Sequence, residues 1–268
     1  MSWLDLPYED EPEQIDELGH SDEDLARSMA DVAWSNRLFG GTQTILHHVA
    51  RLLKDVPPGT PIRALDIATG SGDIPRALLA WADRRGLPLT IVAVDNHPGM
   101  LKIAQESPLA LSSGGAGEEG RGASPAPPEL GAEGFSGLRL VQADALALPF
   151  GPQSFDLAFC ALAFHHFGSD RAARVLATMD QLTTCGLIVT DLRRDRAALW
   201  GVQAAMALKR AHPFTRHDAP ASVRRAFTPR EYEKIVALSG AQNVRISASW
   251  YFRIALVQQK REKVRQSG

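Results

Sequence analysis

Residues 62–75 read IRALDIATGSGDIP. An apolar run ends in Asp66, and a loop of small residues with alternating Gly70 and Gly72 follows. A helical pattern then begins. A strand, a glycine-rich turn and a helix in that order form a nucleotide-type site, because glycines let the backbone lie against a ligand and the helix N-terminus presents free amides. A phosphate-binding P-loop is excluded, since no Gly-Lys-Ser/Thr follows. A dinucleotide fingerprint fits poorly. Pro75 occupies the third glycine position, and Asp73 competes with a pyrophosphate for the positive end of the helix. The loop suits a ligand without phosphates.

Outward from this stretch, short β-rich runs alternate with helical patterns. The strands are IRALDI, LTIVAVD, LRLVQ, FDLAFCAL and GLIVTD, with helices near 74–85, 98–106, 169–184 and 195–211. Apolar strands separated by helices imply a parallel sheet covered on both faces. Two helices precede them. One is capped at Ser21 in SDED and runs to Gly40-Gly41, and one carries Ile45, Leu46, Val49, Leu52 and Leu53. Near the end, TPRE at 228–231 opens a helix by a capping box and Gly240 closes it. NVRIS and WYFRIALVQ then follow too closely for a crossover, which implies an antiparallel hairpin at the end of the sheet.

The 268 residues are 44% hydrophobic and 22% charged, with a formal net charge of -2. That balance gives no reason to expect a nucleic acid partner. The apolar run LAFCALAF is too short to span a membrane. Cys160 and Cys185 match no zinc or disulfide spacing, so the expected setting is a reducing cytoplasm, and no metal site is expected. The expected divisions are an acidic flexible tail (1–24), a helical cap (25–60), a cofactor-binding domain (61–257) and a basic tail (258–268). Residues 107–137, rich in Gly, Ala, Ser, Pro and Glu, read as a flexible insertion within the domain.

S-adenosylmethionine is a ligand of the required kind: adenosine, ammonium, carboxylate and sulfonium, without phosphate. Acids for its ammonium and ribose and a polar group for its adenine stand at three strand ends, Asp66, Asp95 and Asp144. Four stretches in order, LDIATGSGD, VAVDNHPGML, VQADALALPF and FDLAFCALAFHHF, resemble the motifs of class I S-adenosylmethionine-dependent methyltransferases. Ala68 replaces the usual first glycine, as in the ubiquinone/menaquinone C-methyltransferase-like group. SNRLFGG resembles the helix that in this group closes over the cofactor.

The resemblance implies a Rossmann-like doubly wound α/β fold. Its seven-stranded sheet runs 3-2-1-4-5-7-6 with the last strand antiparallel, and N-terminal helices cover the cofactor site. It implies that Asp66 orders the methionine ammonium while Ala68, Gly70 and Gly72 give close backbone contact. Asp95 takes the ribose hydroxyls, with Asn96 beside the adenine and Met100 on its face. Asp144 and Ala145 read the adenine edge, and Cys160 and Ala161 lie beneath the methionine portion. The activity implied is methyl transfer to the oxygen or carbon of a small, fairly apolar acceptor such as a phenol, quinol or polyketide. The alternative is non-methylating chemistry, such as cyclisation or decarboxylation, or a binding role on the same fold. Candidate bases are His165 and His166 after the fourth strand and His217 beside Asp218. Arg193 and Arg194, just past the fifth strand, are candidates for binding an acidic acceptor, against the plainer reading of a solvated helix start.

Overall fold

The computed structural model describes residues 6–17, 19–106, 137–248 and 252–260. The chain runs through α1 (Asp22–Leu38), α2 (Gly41–Leu52), β1 (Ile62–Ile67), α3 (Asp73–Asp83), β2 (Leu89–Asp95), α4 (Pro98–Glu106) and β3 (Gly137–Gln142). It continues through β4 (Phe155–Ala161), α5 (Phe164–Leu182), β5 (Thr183–Leu192), α6 (Arg196–Lys209), α7 (Pro213–Arg225), α8 (Pro229–Ser239), β6 (Val244–Ala248) and β7 (Arg253–Gln259). The sheet order is β3-β2-β1-β4-β5-β7-β6, with β7 antiparallel to both β5 and β6. This is the order that the sequence resemblance implies.

Alternation along β1 shows how both faces are filled. Ile62 and Ala64 join a core with Ile45, Val49, Leu78 and Trp81 from α2 and α3. Leu65 and Ile67 face the other way, toward Phe164, Leu176, Met179, Tyr232 and Ile235 from α5 and α8. Register then aligns the strand ends. Asp66 stands opposite Ala93 of β2 and Phe159 of β4, so the segments after β1, β2 and β4 emerge side by side at one edge.

The structure departs from the sequence reading in several places. The stretch containing TRHDAP, read there without a helix, is α7, capped by the His212 side chain with Pro213 in its first turn and Pro220 inside it. Helix α5 starts five residues earlier than expected, and Gly168 (φ 67, ψ 165) interrupts it, so His165 and His166 lie in a separate first turn. At Ser21 the hydroxyl caps the Asp24 amide, but the Asp24 carboxylate accepts from that hydroxyl instead of from the Ser21 backbone. The acidic stretch read as a flexible tail is partly built into the fold. The Gln14 and Ile15 amides donate to Asp218 of α7 at 2.9 and 3.0 Å, and Glu13 and Ile15 are buried. The basic tail starts later than expected, since Gln258 and Gln259 belong to β7. The insertion, apart from Gly137 at the start of β3, and residues 261–268 lie outside the described residues.

The join between the parallel sheet and its antiparallel end depends on Gly186. A β-carbon there would lie 2.2 Å from the Gln258 carbonyl oxygen. That obstacle is backbone, so it cannot swing aside. Gly186→Ala is expected to cost about 1–3 kcal/mol, read as a lower unfolding midpoint in urea. An unchanged midpoint would mean that β5 and β7 do not approach this closely.

Candidate functional site

The turn after β1 has an uncommon backbone. Ala68, Gly70 and Gly72 are all left-handed (φ 57, 54 and 70), so every second residue reverses the chain. Thr69 donates to the Val94 carbonyl at 2.9 Å, and Gly70 donates to Asp95 Oδ2 at 2.9 Å. A side chain at Gly70 would strike Met29 of α1 at 2.8 Å, which is how closely the N-terminal helix lies over the loop. The other Asp95 oxygen accepts from the His97 amide at 2.9 Å. Burial raises the Asp95 pKa, and these two backbone donors oppose the rise.

Beneath this edge lies a cavity of about 520 Å³. Among the residues predicted for the cofactor, Asp66, Ala68, Gly70, Asp95, Asn96, Met100, Asp144, Ala145 and Ala161 line it. Gly72 and Cys160 do not. A side chain at Gly72 would meet Arg76, and Cys160 is buried in the sheet's core, where burial raises its thiol pKa well above the ordinary range.

The cavity holds polar atoms that the fold leaves without partners. Asp66 Oδ2 and Thr69 Oγ1 are buried and make no well-aligned hydrogen bond among the described residues. Burial, helped by the Asp73 and Asp95 charges, pushes the Asp66 pKa well up, although the Thr69 hydroxyl is close enough to Asp66 to lower it somewhat. A positive group beside Asp66 would restore its charge. Arg253, at the start of β7, is the reverse case. It is 3% exposed and donates from Nη2 to Asn36 at 3.1 Å, while Nε and Nη1 have no acceptor among the described residues. Burial lowers its pKa to about 10, so the guanidinium stays charged at neutral pH. Arg253 is absent from the motif-based candidates, although a lone charge inside the apolar run WYFRIALVQ is a signal of a buried arginine.

At the far end the cavity reaches the paired histidines. Asp191 grips His165 twice, accepting from its amide at 2.9 Å and lying 2.7 Å from its Nδ1. The His165 Nε2 is 3.3 Å from Glu13, and His166 Nδ1 is 2.9 Å from Asp16. Burial alone would lower the His165 pKa, but Asp191 and Glu13 raise it to about 10. Glu13, which burial would raise, is held down at about 2, chiefly by His166 and His165. The two carboxylates therefore favour the protonated form of His165, which works against its acting as a base.

The other candidates lie elsewhere. His217 does not line the cavity; it pairs with Asp218 at 2.8 Å and Glu11 at 3.3 Å. Arg193 binds Asp195, and Arg194 donates to the Ala226 carbonyl at 3.0 Å and to Glu231 at 2.6 Å, locking the start of α8. Neither arginine lines the cavity, so their charge is spent on the framework and not on an acceptor.

Comparison with known proteins fits this geometry. Residues 65–188 match the family described as "Methyltransferase domain". Over these residues, a little under half of the chain, the protein is similar to a methyltransferase domain. A curated relative, the demethylmenaquinone methyltransferase of Deinococcus radiodurans, is 29% identical over 144 residues, 53% of this chain and 48% of that protein. The chain therefore matches about half the length of that relative. Among solved structures, human N-acetylserotonin methyltransferase in complex with its cofactor superposes with a TM-score of 0.53 at 12% identity, covering 90% of this chain and 56% of that one. The CMeT domain of citrinin polyketide synthase gives 0.52 at 11% identity, covering 81% and 51%. At such identities these two likenesses concern the fold. No helix among the described residues is long and apolar enough to cross a membrane.

The left-handed Ala68 gives a test of the loop. A non-glycine residue in that conformation is strained by roughly 1–2 kcal/mol, partly offset by the greater unfolded-state freedom of glycine. Ala68→Gly should stabilise the protein by up to about 1 kcal/mol in urea unfolding, and Ala68→Val should destabilise it. Destabilisation by the glycine would contradict the observed turn.

Proposed function

We propose that the protein transfers a methyl group from S-adenosylmethionine to an oxygen or carbon of a small, fairly apolar acceptor. The observation that carries this reading is the single cavity joining Asp66, Asp95 and Arg253 to the His165–His166 end. Its unpartnered groups fit the cofactor's zwitterionic part: Asp66 suits an ammonium and Arg253 a carboxylate. Asp95 would take the ribose hydroxyls with the lone pairs that its two backbone amides leave free. Asn96, Asp144 and Ala145 would border the adenine, with Met100 on its face.

When bound, the cofactor supplies an electrophilic methyl group on sulfur. The chain's residues do the remaining work. Val32, Val202, Met206 and Phe167 add apolar lining to the cavity, which favours a flat apolar body over a sugar or a peptide. The acceptor must lose a proton as its new bond to carbon forms, and a phenol-type hydroxyl has an ordinary pKa of about 10. The positive charge kept at His165 by Asp191 and Glu13 would stabilise the acceptor oxyanion and so ease loss of that proton to water, with S-adenosylhomocysteine as the leaving product of the transfer. Positioning supplies the rest, by holding the acceptor in line with the sulfur–carbon bond. The relative that acts on demethylmenaquinone, by its name, makes quinols the first acceptors to try.

The test uses labelled cofactor with a panel of phenols and quinols. Label should pass to at least one acceptor. Arg253→Met should weaken cofactor binding about 10-fold or more, the loss expected for a charge-assisted hydrogen bond, by calorimetry. His165→Asn should lower kcat at least about 100-fold with cofactor affinity unchanged. Tight cofactor binding with no transfer to any acceptor would instead favour the non-methylating reading.

A further inference from the structure

The cluster around Glu13 has features that a salt-bridge network does not require. Glu13 Oε1 is buried and accepts no well-aligned hydrogen bond among the described residues, yet His165 Nε2 lies 3.3 Å away and His166 Nε2 3.6 Å away, with Arg225 Nη1 farther off at 3.9 Å. One donor atom from each of Glu13, His165 and His166 lies within 4.8 Å of the others. Ligands around a tetrahedral zinc ion, with bonds of about 2.0–2.1 Å, are separated by roughly 3.3 Å. The two histidine–glutamate separations are close to that edge length.

The surrounding residues match as well. Asp191 holds the Nδ1 of His165, and Asp16 holds the Nδ1 of His166. A carboxylate on Nδ1 fixes the tautomer that leaves Nε2 as a free ligand, the common arrangement behind metal-bound histidines. We propose that Glu13, His165 and His166 form a binding site for one divalent transition-metal ion, facing the acceptor end of the cavity. Two imidazoles and one carboxylate suit zinc, manganese or iron and disfavour magnesium, which prefers oxygen ligands. With three protein ligands, the ion keeps a position open toward the cavity.

The role of the ion rests on the function proposed above. In the cavity it would take the acceptor's oxygen and supply the positive charge otherwise supplied by the proton on His165. Metal binding itself does not depend on that function. The site also accounts for the build of the N-terminal segment. The 3-10 turn at Gln14–Asp16, held by Asp218, brings Glu13 to the Nε2 atoms of both histidines and Asp16 to the Nδ1 of His166.

The experiment is equilibrium dialysis of the metal-free full-length chain against Zn²⁺, with elemental analysis, alongside calorimetric titration of S-adenosylmethionine. The expected result is one tightly held zinc per chain, not displaced by excess Mg²⁺. Glu13→Gln and His166→Ala should each weaken zinc binding at least 100-fold, and Asp16→Asn about 10-fold or more. His47→Ala, in a histidine pair elsewhere on α2, should leave it unchanged. His166 is partly exposed, so its variant keeps the test valid if Glu13→Gln disturbs the N-terminal segment. No zinc held by a protein that still binds S-adenosylmethionine would overturn the proposal, leaving the cluster a salt-bridge clasp. Zinc binding unaltered in His166→Ala would also overturn it. Zinc bound as expected with no methyl transfer to any acceptor would uphold the metal site and count against the proposed reaction.

Discussion

The buried carboxylate of Asp95 ties together two loops that have to be in register for a cofactor to bind. One oxygen accepts from Gly70 in the turn after β1, and the other accepts from His97 at the start of α4. Both loops leave the same edge because β1 and β2 pair in parallel with Asp66 beside Ala93. Gly70, in turn, has no side chain because Met29 closes over it. One carboxylate thus links the sheet, the loop and the N-terminal helix. Burial makes its charge costly, and the two backbone donors offset that cost before any ligand arrives.

The rest of the cavity is arranged by charge. Asp66 and Arg253 are each buried with atoms left unsatisfied, an arrangement that a fold tolerates where a ligand completes it. At the other end Glu13, Asp16 and Asp191 surround two imidazoles and draw positive charge to them. The cavity therefore carries groups suited to a zwitterion and, at the histidine pair, carboxylates that hold cationic imidazoles. The proposed methyl transfer would use the first to bind the cofactor and the second beside the acceptor.

Much of this was legible in the sequence where local chemistry decides the structure. Several strands are apolar runs with an acid at or next to the C-terminal end (Asp66 in β1, Asp95 in β2, Asp191 in β5), and the capping box at Thr228 and Glu231 marks the start of α8. The features that stayed hidden depend on distant partners. Nothing local separates Glu13 from Glu9 and Glu11, which remain near the surface in pairs with Arg224. Helix α7 carries Pro213, Pro220 and mostly polar residues, so no apolar stripe declared it. Arg193 and Arg194 lie just past β5 as expected, but Asp195 and Glu231 hold them. Proximity in sequence to a functional edge does not determine which way a side chain turns.

The most direct test of the account is a crystal structure of the full chain with S-adenosylhomocysteine. The account predicts the amino group beside Asp66, the carboxylate on Arg253, the ribose hydroxyls on Asp95, and the sulfur turned toward His165 and His166. An adenosyl group bound away from Asp95, or a sulfur facing away from the two histidines, would contradict it.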